Sequence, residues 1–251
     1  MMRGLPILNY HAFDRSGGLV STAPERLAAT LDRLLDAGWR AVDLGRWVAD
    51  GRPSAIGTFA ATIDDGLASI LDVVDVFTSR FVWPTIFLVT GRMGLDNAWP
   101  GQPSGVPRMS TLSWDEARSL RDAGFAFGAH TRTHARLDRL WGRPLADELR
   151  GSRDDIEAAL GVDCPLVAYP YGLHGGRVRR EAAGVFEAGF TAAPGESSRY
   201  EDPFALSRLD DHDVRDDRRV GHLLRGNVIW GPRRLARSGR MRLRLRSRGA
   251  A

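Results

Sequence analysis

Two hydrophobic patterns alternate along most of the chain. Short, continuous apolar runs predict strands that are buried on both faces, and apolar residues three or four positions apart predict helices. The predicted strands cover residues 5–10, 39–44, 56–63, 84–90, 125–129, 166–169 and 190–193, and the predicted helices about 22–38, 68–79, 113–124, 144–160 and 177–188. This alternation is typical of parallel strands joined by helical crossovers.

The strand and helix order favours a barrel over a doubly wound sheet, because no glycine-rich phosphate loop follows the first strand. We therefore predict an α/β fold: a single-domain, distorted or incomplete (β/α) barrel with seven or eight parallel strands, formed by residues 1–230. Three polar motifs, at 64–66, 130–134 and 168–172, directly follow predicted strands. Barrels place their chemistry at the C-terminal ends of the strands, so we expect these motifs to share one site.

Turn and capping residues define several boundaries. Thr22 to Glu25 and Ser113 to Glu116 both have the pattern of a helix capping box, and Pro24 suits the first turn of a helix. Residues 91–110 are rich in Gly and Pro and have no period, which predicts a long surface loop.

Positive charge is concentrated at the C-terminus. All 35 basic residues are Arg, and removing the eight between 233 and 248, where there is no acid, changes the net charge from +4 to −4. We predict that residues 231–251 form an Arg-rich tail, either a disordered, solubilising end or a contact with anionic lipid at a membrane surface. We expect no nucleic acid partner, because the tail lacks aromatic residues on which bases could stack.

Cys164 is the only cysteine, which excludes an intramolecular disulfide and predicts a buried, inert thiol. The first ten residues lack the apolar core of a signal peptide, and no apolar run approaches the ~20 residues that span a bilayer. We therefore expect a cytoplasmic location, with the tail as the segment suited to the inner face of the membrane. The sequence gives no indication of oligomeric state.

Two histidines and two aspartates carry the strongest chemical signal. Four residues apart on one helical turn, His130 and His134 would face the same way and bind one divalent ion; alone, they also fit a solvated helix start. Asp64 and Asp65 alone would fit a turn with a helix cap. Together, the two histidines and two aspartates supply a 2-His-1-carboxylate set that leaves open positions on the metal, and a second carboxylate that can accept a proton.

A third motif runs from Ala168 to Gly172. Pro170 and Gly172 predict a tight turn at a strand end, which can point a backbone N–H into the site. Such a donor can stabilise an oxyanion. By itself, the segment fits a purely structural turn.

Taken together, Thr62–Gly66, His130–His134 and Tyr169–Gly172 resemble the first three motifs of the polysaccharide deacetylases, the NodB-homology or carbohydrate esterase family 4 enzymes. Further matches are Asn9-Tyr10-His11, Pro84-Thr85 with Phe87, and Leu112-Ser-Trp114. The resemblance covers about residues 5–210 and is closest to the branch that acts on poly-N-acetylglucosamine and related exopolysaccharides.

The resemblance implies a hydrolase that removes acetyl groups from the N-acetylated amino sugars of a polysaccharide or its precursor. A divalent metal, usually zinc, would be bound by Asp65, His130 and His134. Asp64 would be the general base, and the backbone N–H of Tyr171 would bind the oxyanion. Thr131 would hold the histidine loop by hydrogen bonding.

The chain departs from the family pattern at several positions. Ala168 stands where many members have an Arg that orients the base, and Arg208 is a candidate to supply that charge from another strand. The later motifs, including the general acid, are not recognisable, and the acid is left open among His11, His212 and His222. Two alternatives follow: a metal-dependent hydrolase of a non-sugar amide or cyclic imide, and a non-catalytic carbohydrate-binding relative.

Overall fold

A computed structural model describes residues 4–214 and 216–226 of the protein. The strands are β1 (Leu5–Tyr10), β2 (Ala12–Phe13), β3 (Ser21–Thr22), β4 (Arg40–Ala41), β5 (Thr58–Ile63), β6 (Thr85–Leu88), β7 (Ala126–Ala129), β8 (Leu166–Ala168), β9 (Ala188–Pro194), β10 (Glu196–Ser197) and β11 (Leu206–Asp210). The α-helices are α1 (Pro24–Asp36), α2 (Leu44–Ala49), α3 (Val74–Thr78), α4 (Trp114–Asp122), α5 (Gly142–Leu160), α6 (Gly176–Ala183) and α7 (Asp217–Arg225). The predicted tail lies outside the described residues.

Seven parallel strands close into a barrel. Neighbours follow the order β1, β11, β9, β8, β7, β6 and β5, and β5 pairs with β1 to complete the ring. Outside the ring, β4 lies parallel beside β5, and β10 lies antiparallel beside β1. The register of β11 against β9 shifts between Leu206 and Arg208, which distorts the ring locally. The predicted single-domain (β/α) barrel is confirmed, with seven strands and a closed ring.

Alternation along the strands separates the interior of the barrel from the layer that packs against the helices. Leu5, Ile7, Phe87 and Leu206 belong to an interior apolar cluster, whereas neighbours such as Leu8, Leu88 and Leu209 pack in the larger cluster that includes residues of α1 and α5. Because side chains two positions apart share a face, the next inward positions on β1, β5 and β11 are Asn9, Thr62 and Arg208. The interior therefore changes from apolar to polar toward the C-terminal ends of the strands.

The two predicted capping boxes have different outcomes. At Ser113 the box is confirmed: its hydroxyl accepts from the Glu116 backbone N–H at 3.2 Å, and its own N–H donates to the Glu116 carboxylate at 2.7 Å. The box at Thr22 is wrong, because Thr22 lies in β3 and Ala23 is the N-cap, with no side-chain hydrogen bond. Pro24 does occupy the first turn of α1, as expected.

Other differences concern short elements. Only Arg40–Ala41 of the predicted strand 39–44 pairs with β5, because Asp43 caps a short helix, α2, that the pattern did not indicate. The segment 68–79 is a 3₁₀ helix, Ala68–Val73, followed by α3. The helix predicted for 177–188 ends at Ala183.

Cys164 is buried, as predicted, and burial raises the pKa of its thiol to about 12. None of the described helices combines the length and apolar character needed to cross a bilayer.

A tight contact inside the barrel gives a test of this packing. A Cβ on Gly128 of β7 would lie 2.5 Å from Cε1 of Phe87 and 3.0 Å from the Leu166 carbonyl oxygen. We expect Gly128→Ala to lower the free energy of unfolding by about 1–3 kcal/mol, measured by urea denaturation. Gly176→Ala is the control, since its Cβ would meet only the Arg180 guanidinium at 3.7 Å. Equal losses in the two variants would contradict the packing.

Candidate metal centre

The predicted site residues converge at the C-terminal ends of the barrel strands. Asp64 and Asp65 follow β5, His130 follows β7, and Tyr171 lies in a short 3₁₀ turn after β8, while Arg208 projects from β11. Both aspartates, both histidines and Arg208 are at most 8% exposed. The structure therefore places all the predicted site residues in one region, largely shielded from solvent.

Asp65 lies between the two histidines. Its Oδ1 atom is 3.4 Å from Nε2 of His130 and 3.3 Å from Nε2 of His134. Ligand atoms of the three residues all lie within 4.8 Å of one another. Two imidazoles and one carboxylate at this spacing can hold one divalent cation and leave coordination positions open.

Neighbouring groups orient the two imidazoles differently. Nδ1 of His130 lies 2.8 Å from the carbonyl oxygen of Ala168. A carbonyl only accepts, so Nδ1 carries the proton and Nε2 of neutral His130 presents its lone pair to the site. The His134 ring packs against Trp99 with centroids 4.4 Å apart, and its buried Nδ1 has no hydrogen-bond partner among the described residues. One imidazole is fixed by a hydrogen bond and the other by ring packing.

Burial and charge act in opposite directions on the two histidines. For His130, burial alone would lower the pKa, but the Asp64 and Asp65 carboxylates outweigh it and raise the pKa. For His134, burial dominates and lowers the pKa. A metal ligand must be a neutral imidazole, so a bound cation would displace the proton that the carboxylates favour on His130.

The histidine motif is a loop and not the helical turn expected from its spacing. Thr131 and His134 have φ angles of 68° and 58°, and Asp65 and Tyr171 have 74° and 60°. These four are among the six non-glycine residues with positive φ in the described ranges. Residues with a Cβ adopt this left-handed conformation only when their surroundings impose it, and such strain clusters at functional sites.

Thr131 holds the histidine loop through its backbone. Its hydroxyl is buried without a hydrogen-bond partner among the described residues. Its backbone carbonyl instead accepts from the Thr90 N–H at 3.1 Å. The hydrogen bond expected of Thr131 is therefore made by its backbone.

Asp64 is held by a bidentate ion pair. Nη1 and Nη2 of Arg208 each lie 2.7 Å from one of its carboxylate oxygens. Arg208 also donates to Asn9 Oδ1 at 2.8 Å and to the Thr191 carbonyl at 3.1 Å, and its guanidinium lies 5.6 Å from the centre of the Phe87 ring. The charge absent at Ala168 is therefore supplied from β11, where the sequence had placed a candidate.

The ion pair decides the charge of Asp64. Burial alone would raise the pKa of its carboxyl, but the positive charge of Arg208, aided by His130, outweighs burial and holds the pKa at about 2. The pKa of Asp65 is also well below its usual range, because hydrogen bonds to His130 and His134 outweigh its burial. Both carboxylates are therefore ionised at neutral pH, one beside Arg208 and the other between the imidazoles.

Two aromatic residues pack against His134. Besides the Trp99 contact, the Tyr171 ring meets the His134 ring at 4.6 Å, and its hydroxyl lies 3.4 Å from the carbonyl oxygen of Pro100. Trp99 belongs to the 91–110 loop, which is therefore not entirely on the surface, and no periodicity in that loop indicated its position. Asn9 did carry a signal, as the one amide in an otherwise apolar buried strand.

The three histidines considered as a general acid lie in different places. Nε2 of His11 is 3.9 Å from Oδ2 of Asp64. His212 instead contacts the Leu19 carbonyl at 3.2 Å, and His222 lies in α7. Among the three, the structure brings His11 to the carboxylates.

The fold is shared with known deacetylases. Deacetylase PplD of Streptococcus pyogenes has a TM-score of 0.73 and 19% identity over 84% of this chain and 93% of that one. IcaB of Ammonifex degensii has a TM-score of 0.68 and 22% identity over 82% and 91%. The BpsB deacetylase domain of Bordetella bronchiseptica has a TM-score of 0.66 and 16% identity over 84% and 96%.

Comparison with curated proteins finds no match. The family model described as polysaccharide deacetylase matches residues 52–191, which contain both aspartates, both histidines and the turn at Tyr171. Because this match covers more than half of the 251 residues, the chain belongs to the polysaccharide deacetylase family.

Proposed function

We propose that the protein is a metal-dependent N-deacetylase that removes acetyl groups from N-acetylated amino sugars in a polysaccharide, such as poly-N-acetylglucosamine, or in its precursor. The observation that carries the proposal is the buried Asp65, His130 and His134 set beside an Asp64 carboxylate that Arg208 keeps charged. A carbohydrate-binding module would have no need for an ionised base next to a metal set.

The ligand set fits zinc. Carboxylate oxygen and imidazole nitrogen are ligands that Zn²⁺ takes in catalytic sites, and the three residues leave a position open for water or substrate. The buried Nε2 of His130, with Nδ1 held by Ala168, supplies a ligand atom in a fixed direction. When bound, the metal would make water more acidic and polarise the acetamide carbonyl.

Asp64 is suited to be the general base. Its charge is maintained at neutral pH, and both its oxygens are fixed by Arg208, so the carboxylate is oriented before substrate arrives. It would take one proton from the attacking water as the oxygen bonds to the acetamide carbon. The backbone N–H of Tyr171 would donate to the oxyanion that develops on the carbonyl oxygen.

His11 is suited to be the general acid because it lies beside the base, on the loop that follows β1. It would give a proton to the amide nitrogen as the C–N bond breaks, leaving acetate and a free amino sugar. The structure of PplD is described as a complex with acetate, which is the product this reaction would release.

The metal assignment is tested by replacing a ligand. We expect Asp65→Ala and His134→Ala to abolish Zn²⁺ binding and to reduce acetate release from N-acetylglucosamine oligomers by more than the roughly 100-fold typical of losing an outer-shell partner. His212→Ala, whose ring contacts the Leu19 carbonyl, is the control. Full activity in either ligand variant would end the assignment. Zn²⁺ binding by the wild type without acetate release from any oligomer would favour a non-sugar amide as substrate.

The role of Arg208 is tested by pH dependence. With the guanidinium removed, burial is less opposed and the pKa of Asp64 rises. Since the base must be ionised, activity is present above this pKa and lost below it. We expect the acid limb of kcat/KM in Arg208→Met to move up by about 1–3 pH units. The control is Arg179→Met, which removes a surface pair with Asp202. An unmoved limb in folded Arg208→Met would contradict the role.

The general acid is tested by comparing two histidines. We expect His11→Gln to lower kcat by about 10²–10⁴-fold, while Zn²⁺ binding is kept. His222→Gln, on α7, should leave kcat unchanged. The opposite pattern would assign the acid to His222 and refute the choice of His11.

A further inference from the structure

One face of α5 contacts the loop that carries both histidines. Glu148, Gly151 and Asp155 are three and four positions apart and therefore lie on the same side of the helix. We call these three residues the α5 clamp. None of them belongs to a motif on which the family resemblance rests, and all three contact Arg132 of the loop.

Glu148 accepts hydrogen bonds from the backbone of the loop. Its Oε2 accepts from the N–H of Arg132 at 2.9 Å and of Thr133 at 3.0 Å, and its Oε1 accepts from the Thr133 hydroxyl at 2.6 Å. Two successive N–H groups converge on one oxygen only when the backbone turns sharply, as it does with Thr131 in the left-handed region. These contacts fix the segment between the two histidines.

Asp155 holds the side chain of the same segment. Its oxygens accept from Nε of Arg132 at 2.9 Å and from Nη2 at 2.7 Å, and one also accepts from the Thr90 hydroxyl at 2.7 Å. The Arg132 guanidinium lies directly over Gly151, where a Cβ would come within 2.5 Å of Nε. A side chain at 151 would therefore push Arg132 off Asp155.

We propose that the α5 clamp is a positioning element that holds His130 and His134 in ligand geometry before the metal binds. The inference rests on the proposed metal assignment of these histidines. Left-handed Thr131 and His134 are unfavourable by themselves, so the loop needs external contacts to keep both rings directed at Asp65. The clamp supplies those contacts from outside the site, through Arg132 and Thr133, two of the three residues that lie between the histidines.

Zn²⁺ affinity of the full chain, measured by competition with a chromophoric chelator, tests the proposal. We expect Glu148→Ala, Asp155→Asn and Gly151→Ala each to raise the dissociation constant by about 10-fold, with acetate release recovering at high Zn²⁺. Gly151→Ala is the most informative variant, because Ala stabilises the interior of a helix relative to Gly. The midpoint of its thermal unfolding without metal should not fall. Weaker Zn²⁺ binding would then result from a displaced histidine loop and not from general destabilisation.

Asp154→Asn is the matched control, since Asp154 neighbours Asp155 but pairs with Arg153. It should bind Zn²⁺ as tightly as the wild type. If Gly151→Ala and Glu148→Ala also bind like the wild type, the clamp is refuted while the metal assignment stands. If the wild type itself binds no Zn²⁺, the metal assignment fails and the clamp fails with it.

Discussion

The buried ion pair between Arg208 and Asp64 is the interaction on which the site depends. Burying a carboxylate is unfavourable, and a paired guanidinium compensates only if the geometry is good and the remaining polar atoms are satisfied. Asn9 and Thr62 help to satisfy them, because both contact Nη1 of Arg208. The two partners are 144 residues apart, so they can meet only because β11 and β5 both flank β1 in the closed barrel. Closure of the fold and charge of the base are therefore linked.

The site also concentrates backbone strain. Asp65, Thr131, His134 and Tyr171 are left-handed, and each such residue costs about 1–3 kcal/mol. Four of them together are comparable to the roughly 5–15 kcal/mol by which a domain is stable. The surrounding structure must therefore offset the strain, and the hydrogen bonds to the histidine loop from α5 and from residues 90–91 contribute to this. A loop supported in this way can hold side chains in directions that a relaxed loop would not adopt.

Much of the site could be predicted from sequence, because its motifs directly follow apolar strands such as β5 (Thr58–Ile63). Elements that depend on distant contacts could not. The spacing of His130 and His134 fits a helix, yet contacts with α5 impose a loop that local pattern does not reveal. Trp99 lies in a segment without periodicity, and its place beside His134 follows only from the folded chain. Thr22 has the residues of a capping box, but pairing of β2 with β3 takes it into a strand.

The guanidinium beside Asp64 comes from β11 and not from the motif position that Ala168 occupies on β8. A guanidinium near Asp64 lowers the carboxyl pKa according to its distance and burial, whatever its position in the sequence. Arg208 on β11 provides it at 2.7 Å, so Ala168 on β8 needs no charge. Ala168 contributes its carbonyl, which fixes the tautomer of His130. A missing arginine at that motif position therefore does not indicate lost catalysis. The hypothesis of a non-catalytic carbohydrate-binding relative rested on this missing arginine and on the unrecognised general acid, and the first of these arguments no longer supports it.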